Sequence, residues 1–244
     1  MMRLDKYMSL AGVLSRSDTT RAVRAGDILV NGMAAARSDV KIDPDRDVIT
    51  FRSERVIWRE FTYVMLNKPQ GYVSATEDGR DPTVLELLPE EIGRIRPQLF
   101  PCGRLDKNTT GLMILTNDGQ LSHKLLAPKS HVDKTYRFRV KFPLSDDDAE
   151  KLESGVDIGG YITAPCKVKL FCSDDGAKEG EITLREGKYH QIKLMMEAVH
   201  NQITELERIS FGSIKLPDGL DVGECRLLTD DEINSLRSDV IKEK

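Results

Sequence analysis

An aspartate that follows Gly-Arg-Leu has the surroundings of a nucleophile. The stretch CGRLDKNTTGLMILTNDG (residues 102–119) places Asp106 before a tight loop and a buried, apolar strand. If this segment is extended, Arg104 and Asp106 point to one side and Leu105 to the other. An arginine beside a carboxylate keeps it ionised, as a carboxylate nucleophile requires. Spacing alone also allows a structural ion pair or an Asx turn.

The tetrapeptide Arg-Leu-Asp-Lys occurs a second time, at residues 3–6. This copy lacks the preceding glycine and the following Thr-Thr-Gly-Leu. The spacing of Leu4, Tyr7 and Met8 predicts that it lies on an amphipathic helix. We therefore expect Asp5 to face solvent and to be structural.

The composition is that of an ordinary globular protein, with 244 residues, 39% hydrophobic and 31% charged. This length allows two compact domains. The N-terminal residues carry charges where a signal peptide needs an apolar run, and no stretch approaches the ~20 apolar residues of a membrane helix. A cytoplasmic protein is expected. The net charge of −4 is only weak evidence against a nucleic-acid partner, because a basic patch can coexist with acidity elsewhere.

The cysteines and histidines are scattered and form no C-x-x-C pair or other metal-ligand spacing. The cysteines are Cys102, Cys166, Cys172 and Cys225. We expect reduced thiols and no metal site.

Residues 1–51 have the pattern of a small independent domain. Helical spacing predicts one helix, followed by a second that Ser15 or Ser17 can cap. Asn31-Gly32 between short apolar runs is a strong hairpin signal. The order is therefore helix, helix and small sheet.

Residues 52–60 read as a charged linker, and residues 61–244 as a second domain. Strand-like runs outnumber helical ones there, which favours an α+β fold with a mixed, mainly antiparallel sheet over a regular βαβ repeat. The segment TYRFRVKF (residues 135–142) alternates strictly, as a half-buried strand does. The residues expected on its buried face are Tyr136, Phe138, Val140 and Phe142.

The first domain, over most of residues 2–51, resembles the RNA-binding domain first described in ribosomal protein S-four. That family grips structured RNA with its helix pair and the adjoining loop. Arg21 and Arg24 share one face of the second helix, with Arg16 just upstream. Spacing alone leaves a solvated helix face open, whereas the resemblance implies contacts to RNA phosphates.

The second domain resembles the RsuA/RluA-type pseudouridine synthases. Three blocks carry the resemblance: VMLNKPQGYVSAT from Val64, GRLDKNTTGLMILTNDG from Gly103, and EGKYHQIKLMMEAVHNQITELERISFGSIKL from Glu186. They span most of residues 61–229. The wording of LNKPQGYV and the form D-x-x-T-T-G-L resemble the RsuA branch, which modifies small-subunit ribosomal RNA.

The resemblance implies a role for each site residue. Asp106 becomes the nucleophile, Tyr136 stacks on the uracil and handles protons, and Ile209 forms an apolar wall. Lys193 pairs with the aspartate, keeping it ionised and oriented. Without the resemblance, Tyr136 reads as a core residue and Lys193 as a surface one. The candidate RNA contacts around the pocket are Lys68, Arg104, Arg137 and Lys188, with His190 ranked behind them.

The implied reaction breaks the C1′–N1 bond of a uridine and rejoins the base through C5, which requires the nucleotide to be flipped out. No step needs a metal or other cofactor. The resemblance suggests a monomer acting on the uridine at position 516 of 16S ribosomal RNA, through a glycal or by addition of the carboxylate to the ring. The alternatives are a large-subunit enzyme, a non-catalytic ribosome-assembly factor, and a glycosidase-like hydrolase that uses Asp118 as a second carboxylate.

Overall fold

The chain folds into two compact units. The computed structural model describes residues 1–127, 130, 132–171 and 176–241, so Cys172 lies outside the described residues. The first unit comprises Met1–Thr62 and Leu88–Phe100, and the second comprises Tyr63–Leu87 and the chain from Pro101 onward. The predicted α+β class is confirmed.

The first unit contains the predicted helix pair and small sheet. Its elements are β1 (Met2–Arg3), α1 (Leu4–Leu10), α2 (Arg16–Ala25), β2 (Ile28–Val30), β3 (Met33–Ala34), β4 (Lys41–Ile42), β5 (Ile49–Phe51), β6 (Glu54–Val56) and α3 (Glu90–Gly93). Ser15 caps α2 by accepting a hydrogen bond from the amide of Asp18. The two-residue turn Asn31-Gly32, with φ positive at both positions, joins β2 to β3 as predicted.

The predicted linker at residues 52–60 is wrong, because part of it is a strand of the first unit. β6 pairs antiparallel with β5, and the Tyr7 hydroxyl donates to the buried Val56 carbonyl at 3.0 Å. Val56 is buried and Trp58 packs partly buried against the same core, and two such residues in a charged segment are too few to show an alternating pattern in the sequence. The segment 88–100, which we assigned to the second domain, also belongs to the first unit. The backbone of Arg94 lies close against Gly12 there.

Asp5 does not face solvent as expected. It is buried in the first turn of α1. Its carboxylate accepts two hydrogen bonds from the Arg3 guanidinium, at 2.6 and 3.0 Å, and its amide donates to the Ser38 carbonyl. The loop packed on α1 covers a position that helical spacing alone leaves outside. Its contacts remain structural ones.

The second unit is built on a mixed, mainly antiparallel sheet. Its elements are β7 (Tyr63–Lys68), a 3₁₀ turn (Val84–Leu87), β8 (Phe100–Pro101) at the boundary, β9 (Thr110–Thr116), α4 (Gly119–Leu126), β10 (Lys134–Leu144), α5 (Asp146–Ser154), β11 (Lys167–Phe171), β12 (Ala177–Leu184), α6 (Gln191–Ala198), β13 (Ile203–Phe211), β14 (Ile214–Lys215), β15 (Cys225–Leu227) and α7 (Asp230–Ile241). The strand order is β11-β12-β10-β13-β9-β7-β15. α6 packs Ile192, Met195 and Met196 into the core formed with β10, β12 and β13.

The direction of strand pairing changes at β9 and β13, which run parallel to each other, with Gly111 opposite Arg208. Gly111 has φ +97°, and a Cβ there would collide with the Arg208 carbonyl oxygen. The close approach of the two backbones therefore requires glycine. Lys68 is the partner of Gly111 on β7. Gly111 thus lies between two basic residues, Arg208 on β13 and Lys68 on β7, in the centre of the sheet.

The alternation predicted for β10 holds over its first half only. Phe138 and Val140 are buried, whereas Phe142 is 54% exposed. The regular ladder with β13 ends at Val140, and the Phe142 amide donates instead to the side chain of Asn201 at 3.2 Å. Loss of the ladder breaks the two-residue period on which the prediction rested.

Candidate active site

A cavity of about 600 Å³ lies in the second unit, with Asp106 on its wall. The Lys193 ammonium donates to Asp106 Oδ2 at 2.6 Å, a charge-assisted hydrogen bond in a site where both side chains are about one-third exposed. Lys193 lies in the first turn of α6, whose N-terminal end adds positive potential beside the carboxylate. The cavity therefore holds a carboxylate that Lys193 orients and that a ligand can reach.

The loop that carries Asp106 is held in place by a glycine turn and by hydrogen bonds with Ser74. Gly103 turns the chain with φ +85°. Leu105 is buried whereas Arg104 and Asp106 are more exposed, and all three residues line the cavity. Ser74 exchanges two hydrogen bonds with the Leu105 backbone, accepting from its amide at 2.9 Å and donating to its carbonyl at 2.7 Å. The first sequence block thus positions the second.

Lys68 is not an RNA contact, in contrast to the prediction. Its side chain is fully buried. The ammonium lies against the carbonyl oxygens of the loop below Asp106, at 2.9 to 3.3 Å. The acceptors are the carbonyls of Pro69, Asp106, Lys107 and Thr109. Burial lowers the pKa of Lys68 to about 8, so the ammonium still predominates at neutral pH. Lys68 therefore stabilises the loop that carries Asp106.

Replacing Lys68 by methionine should destabilise the protein. The variant keeps the apolar stem but takes the ammonium away from four loop carbonyls, of which only those of Asp106 and Lys107 also accept from a described backbone amide. We expect a cost of about 3 kcal/mol in the free energy of unfolding. Urea unfolding measures this change, with the exposed Lys215→Met as the matched control within about 0.5 kcal/mol of wild type. A Lys68→Met protein with wild-type stability and weakened RNA binding would instead support the prediction that Lys68 contacts RNA.

The aromatic and apolar walls of the cavity come from neighbouring strands. Tyr136 on β10 lines the cavity, as predicted, together with Leu184 and Leu206. Ile209 is not among the lining residues. The pairing of β10 with β13 shifts register beside it, between Ser210 and Arg208, and such an irregularity changes which side chains face one side of the sheet. Leu184 and Leu206 therefore form the apolar wall beside Tyr136, and Leu105, Leu126 and Ile192 also line the cavity.

The predicted RNA contacts divide into two groups. Arg104 and Lys188 are exposed and line the cavity, where the Lys188 ammonium lies 4.3 Å from the centre of the Tyr161 ring. Arg137 is not a lining residue, because it follows Tyr136 on β10 and so faces the other side of the sheet. It lies 3.7 Å from Glu181 there.

Two basic residues that line the cavity, Arg208 and Lys134, were not predicted as site residues, and a third, His190, was ranked behind the other candidates. Arg208 is 2% exposed, donates to the Leu112 carbonyl at 2.7 Å and lines the cavity. Its Nη2 has no hydrogen-bond partner among the described residues. Lys134 also lines the cavity, and burial with the nearby Arg208 charge lowers its pKa. His190 approaches Asp106 Oδ2 to 3.6 Å. Of these three residues, His190 was the one with a signal in the sequence, because it lies in the same block, YHQIK, as Lys193.

Asp118, the second carboxylate of the glycosidase alternative, does not line the cavity. It is buried at the start of α4, where it accepts from the Leu121 amide at 2.9 Å and from the Tyr63 hydroxyl at 2.6 Å. Burial and the hydrogen bond to Asp118 raise the pKa of Tyr63 to about 12. Asp118 is thus the N-cap of α4.

The described part of the chain contains no cluster of three metal-ligating side chains. The described thiols, Cys102, Cys166 and Cys225, are unpaired. None of the described helices is both long and apolar enough to span a bilayer.

Comparison with known proteins decides the family. A model of the family described as RNA pseudouridylate synthase matches residues 62–198, more than half of the chain. The chain belongs to this family. It is also similar to a pseudouridylate synthase of known crystal structure, with 35% identity, a TM-score of 0.65, and coverage of 97% of this chain and 100% of the other.

Full-length relatives in the family point the same way. The chain is 46% identical to the uncharacterized RNA pseudouridine synthase YtzG of Bacillus subtilis, over 96% of this chain and 98% of the relative. It is 39% identical to the ribosomal small subunit pseudouridine synthase A of Yersinia pestis, over 96% and 98%. The protein of the same name in Escherichia coli is 37% identical, over 96% and 100%. Both the enzyme class and the RsuA branch predicted from the motifs are thus confirmed.

Proposed function

We propose that this protein isomerises one uridine of small-subunit ribosomal RNA to pseudouridine, with Asp106 as the nucleophile. The observation that carries the proposal is the 2.6 Å pair of Asp106 and Lys193 on the wall of a cavity shared with Tyr136. The relatives named as small-subunit enzymes support the choice of RNA. The uridine at position 516 of 16S RNA is the candidate target.

Each lining residue has a task in this reaction. The flipped uridine enters the cavity, with its uracil against the Tyr136 ring and between Leu184 and Leu206. With the Asp106 carboxylate as nucleophile, the C1′–N1 bond breaks and the base rotates to present C5. A C1′–C5 bond then forms, C5 loses its proton and N1 gains one. Lys193 aims the carboxylate and keeps it charged. Arg208 and Lys134 add the positive potential that favours an anionic backbone near the cavity.

Mapping of pseudouridines tests the proposal. The protein is incubated with small-subunit ribosomal RNA and with partly assembled subunits, and carbodiimide adducts are located by primer extension. We expect one new stop, absent with Asp106→Ala. A stop only on large-subunit RNA would identify a large-subunit enzyme, and no stop on any ribosomal RNA would leave the assembly-factor alternative.

We further propose that α2 of the first unit holds RNA phosphates. Arg16, Arg21 and Arg24 are all exposed on this helix, and Arg21 is paired with Asp18, which would have to release it on binding. The domain resemblance supports delivery of the second unit to its RNA. A cytoplasmic monomer is the form in which we expect the protein to act, since ribosomal RNA is its substrate.

Changing the three arginines to glutamine should weaken RNA binding about tenfold. A plot of log K against log salt concentration has a negative slope, and its magnitude should fall by about 2 because fewer counterions are released. Filter binding over a salt series measures both. Arg37→Gln with Arg46→Gln, which removes exposed arginines from outside α2, is the control. An unchanged slope in the triple variant would show that α2 does not contact phosphates.

A further inference from the structure

An exposed aromatic ring stands at the rim of the cavity. Tyr189 is 77% exposed, and one face of its ring is stacked on His190, with centroids 3.8 Å apart and planes at 19°. Both residues line the cavity. The other face of the Tyr189 ring is open, so a flat ligand in the cavity can stack on it.

The backbone places this stack with some strain. His190 adopts a left-handed conformation, φ 51° and ψ 27°, as the residue that precedes α6, and non-glycine residues adopt it at a cost. This kink brings His190 within 3.6 Å of Asp106 while its ring lies on Tyr189. The His190 ring therefore lies between the Tyr189 ring and Asp106.

The segment that carries Tyr189 is held firmly. Glu186 accepts hydrogen bonds from the Gln191 side chain at 2.5 Å and from the Tyr161 hydroxyl at 2.7 Å. The Lys188 amide in turn donates to Gln191 Oε1 at 2.8 Å. A braced segment presents the Tyr189 ring in a fixed place, which lowers the entropy cost of stacking against it.

The charges around the ring select the partner. The basic side chains that line the same cavity are Arg104, Lys134, Arg185, Lys188, Lys193 and Arg208. The acidic residues among the lining residues are Asp106 and Glu186, and Lys193 already pairs with Asp106. An exposed aromatic ring within such a basic surface is the arrangement that binds single-stranded nucleic acid, the bases stacking and the phosphates facing the cations.

We infer that the exposed face of Tyr189 stacks on a base that flanks the flipped uridine, an inference that rests on the proposed function. Flipping removes a stacking neighbour from each adjacent base. The Tyr189 ring replaces that neighbour, and His190 carries the stack toward Asp106. Tyr189 is thus a substrate-positioning residue that sets how the RNA strand enters the cavity, and Tyr136 remains the ring against the target uracil.

Substitution of Tyr189 by leucine tests this inference. Leucine keeps an apolar side chain but removes the π face, so KM should rise about tenfold, the equivalent of about 1.4 kcal/mol, with kcat within twofold of wild type. Tyr189→Trp should restore KM. The control is Phe142→Leu, an exposed aromatic that does not line the cavity, and we expect it to leave KM unchanged.

Fluorescence distinguishes stacking from a structural role. The RNA carries 2-aminopurine in place of the nucleotide either 5′ or 3′ to the target uridine. Binding of wild type should quench one of these probes, and Tyr189→Leu should abolish the quenching while Tyr189→Trp preserves it. An unchanged KM in Tyr189→Leu, or quenching that survives this change, overturns the inference. A wild type that modifies no uridine overturns the proposed function instead.

Discussion

Replacing Asp106 by asparagine should reduce pseudouridine formation by at least about a thousandfold. Asparagine preserves the size of the side chain but has no negative charge with which to attack or to stabilise positive charge at C1′. RNA affinity should stay within a few-fold of wild type, because the carboxylate does not attract phosphates. Single-turnover tritium release from labelled RNA at saturating enzyme measures the chemical step directly.

The control for this change lies in the second Arg-Leu-Asp-Lys copy. Asp5→Asn alters the same tetrapeptide, in a helix where the carboxylate only pairs with Arg3. Its turnover should equal that of wild type at a temperature where both are folded. Asp106→Ala, which cannot deamidate back to aspartate, should be as inactive as Asp106→Asn. Turnover by the alanine variant above about a tenth of wild type would remove Asp106 from the chemistry.

The sequence predicted the parts of the site that depend on local periodicity. Alternation predicted that Leu105 is buried and that Arg104 and Asp106 are more exposed, as their exposed fractions show, because neighbouring residues of an extended segment point to opposite sides. The Ser15 cap and the Asn31-Gly32 turn followed for the same local reason. The pairing of Asp106 with Lys193 is of another kind. It joins residues 87 apart, and the family resemblance supplied it.

The wrong predictions share a physical origin, which is that burial depends on what packs over a residue. Lys68 was expected to contact RNA beside the pocket, but its ammonium is surrounded by loop carbonyls, an arrangement that no periodicity of the sequence reveals. Ile209 was inferred from the family resemblance alone, and it lies where the pairing of β13 with β10 shifts register, which no sequence pattern shows. Arg208 was overlooked because its close packing on Gly111 comes from strands distant in sequence.

Replacing Lys193 by methionine should lower kcat about a hundredfold. The change removes the 2.6 Å hydrogen bond to Asp106 and leaves the carboxylate free to rotate away from C1′. Loss of one preorganised charged donor in an active site has effects of this size. KM should change little, because the Lys193 ammonium is engaged by the carboxylate. Single-turnover rates across a range of enzyme concentrations separate the two parameters.

The competing role for Lys193 is a contact to an RNA phosphate, and it predicts the opposite pattern. In that case Lys193→Met would raise KM, leave the saturated rate intact and flatten the salt dependence of binding by about one counterion. Lys188→Met is the matched control, since Lys188 is exposed on the same cavity and is expected to act on binding alone. Lys193→Arg should recover part of the lost rate, because it keeps the charge but changes the geometry of donation. A loss of kcat in Lys193→Met but not in Lys188→Met would therefore assign Lys193 to the positioning of Asp106.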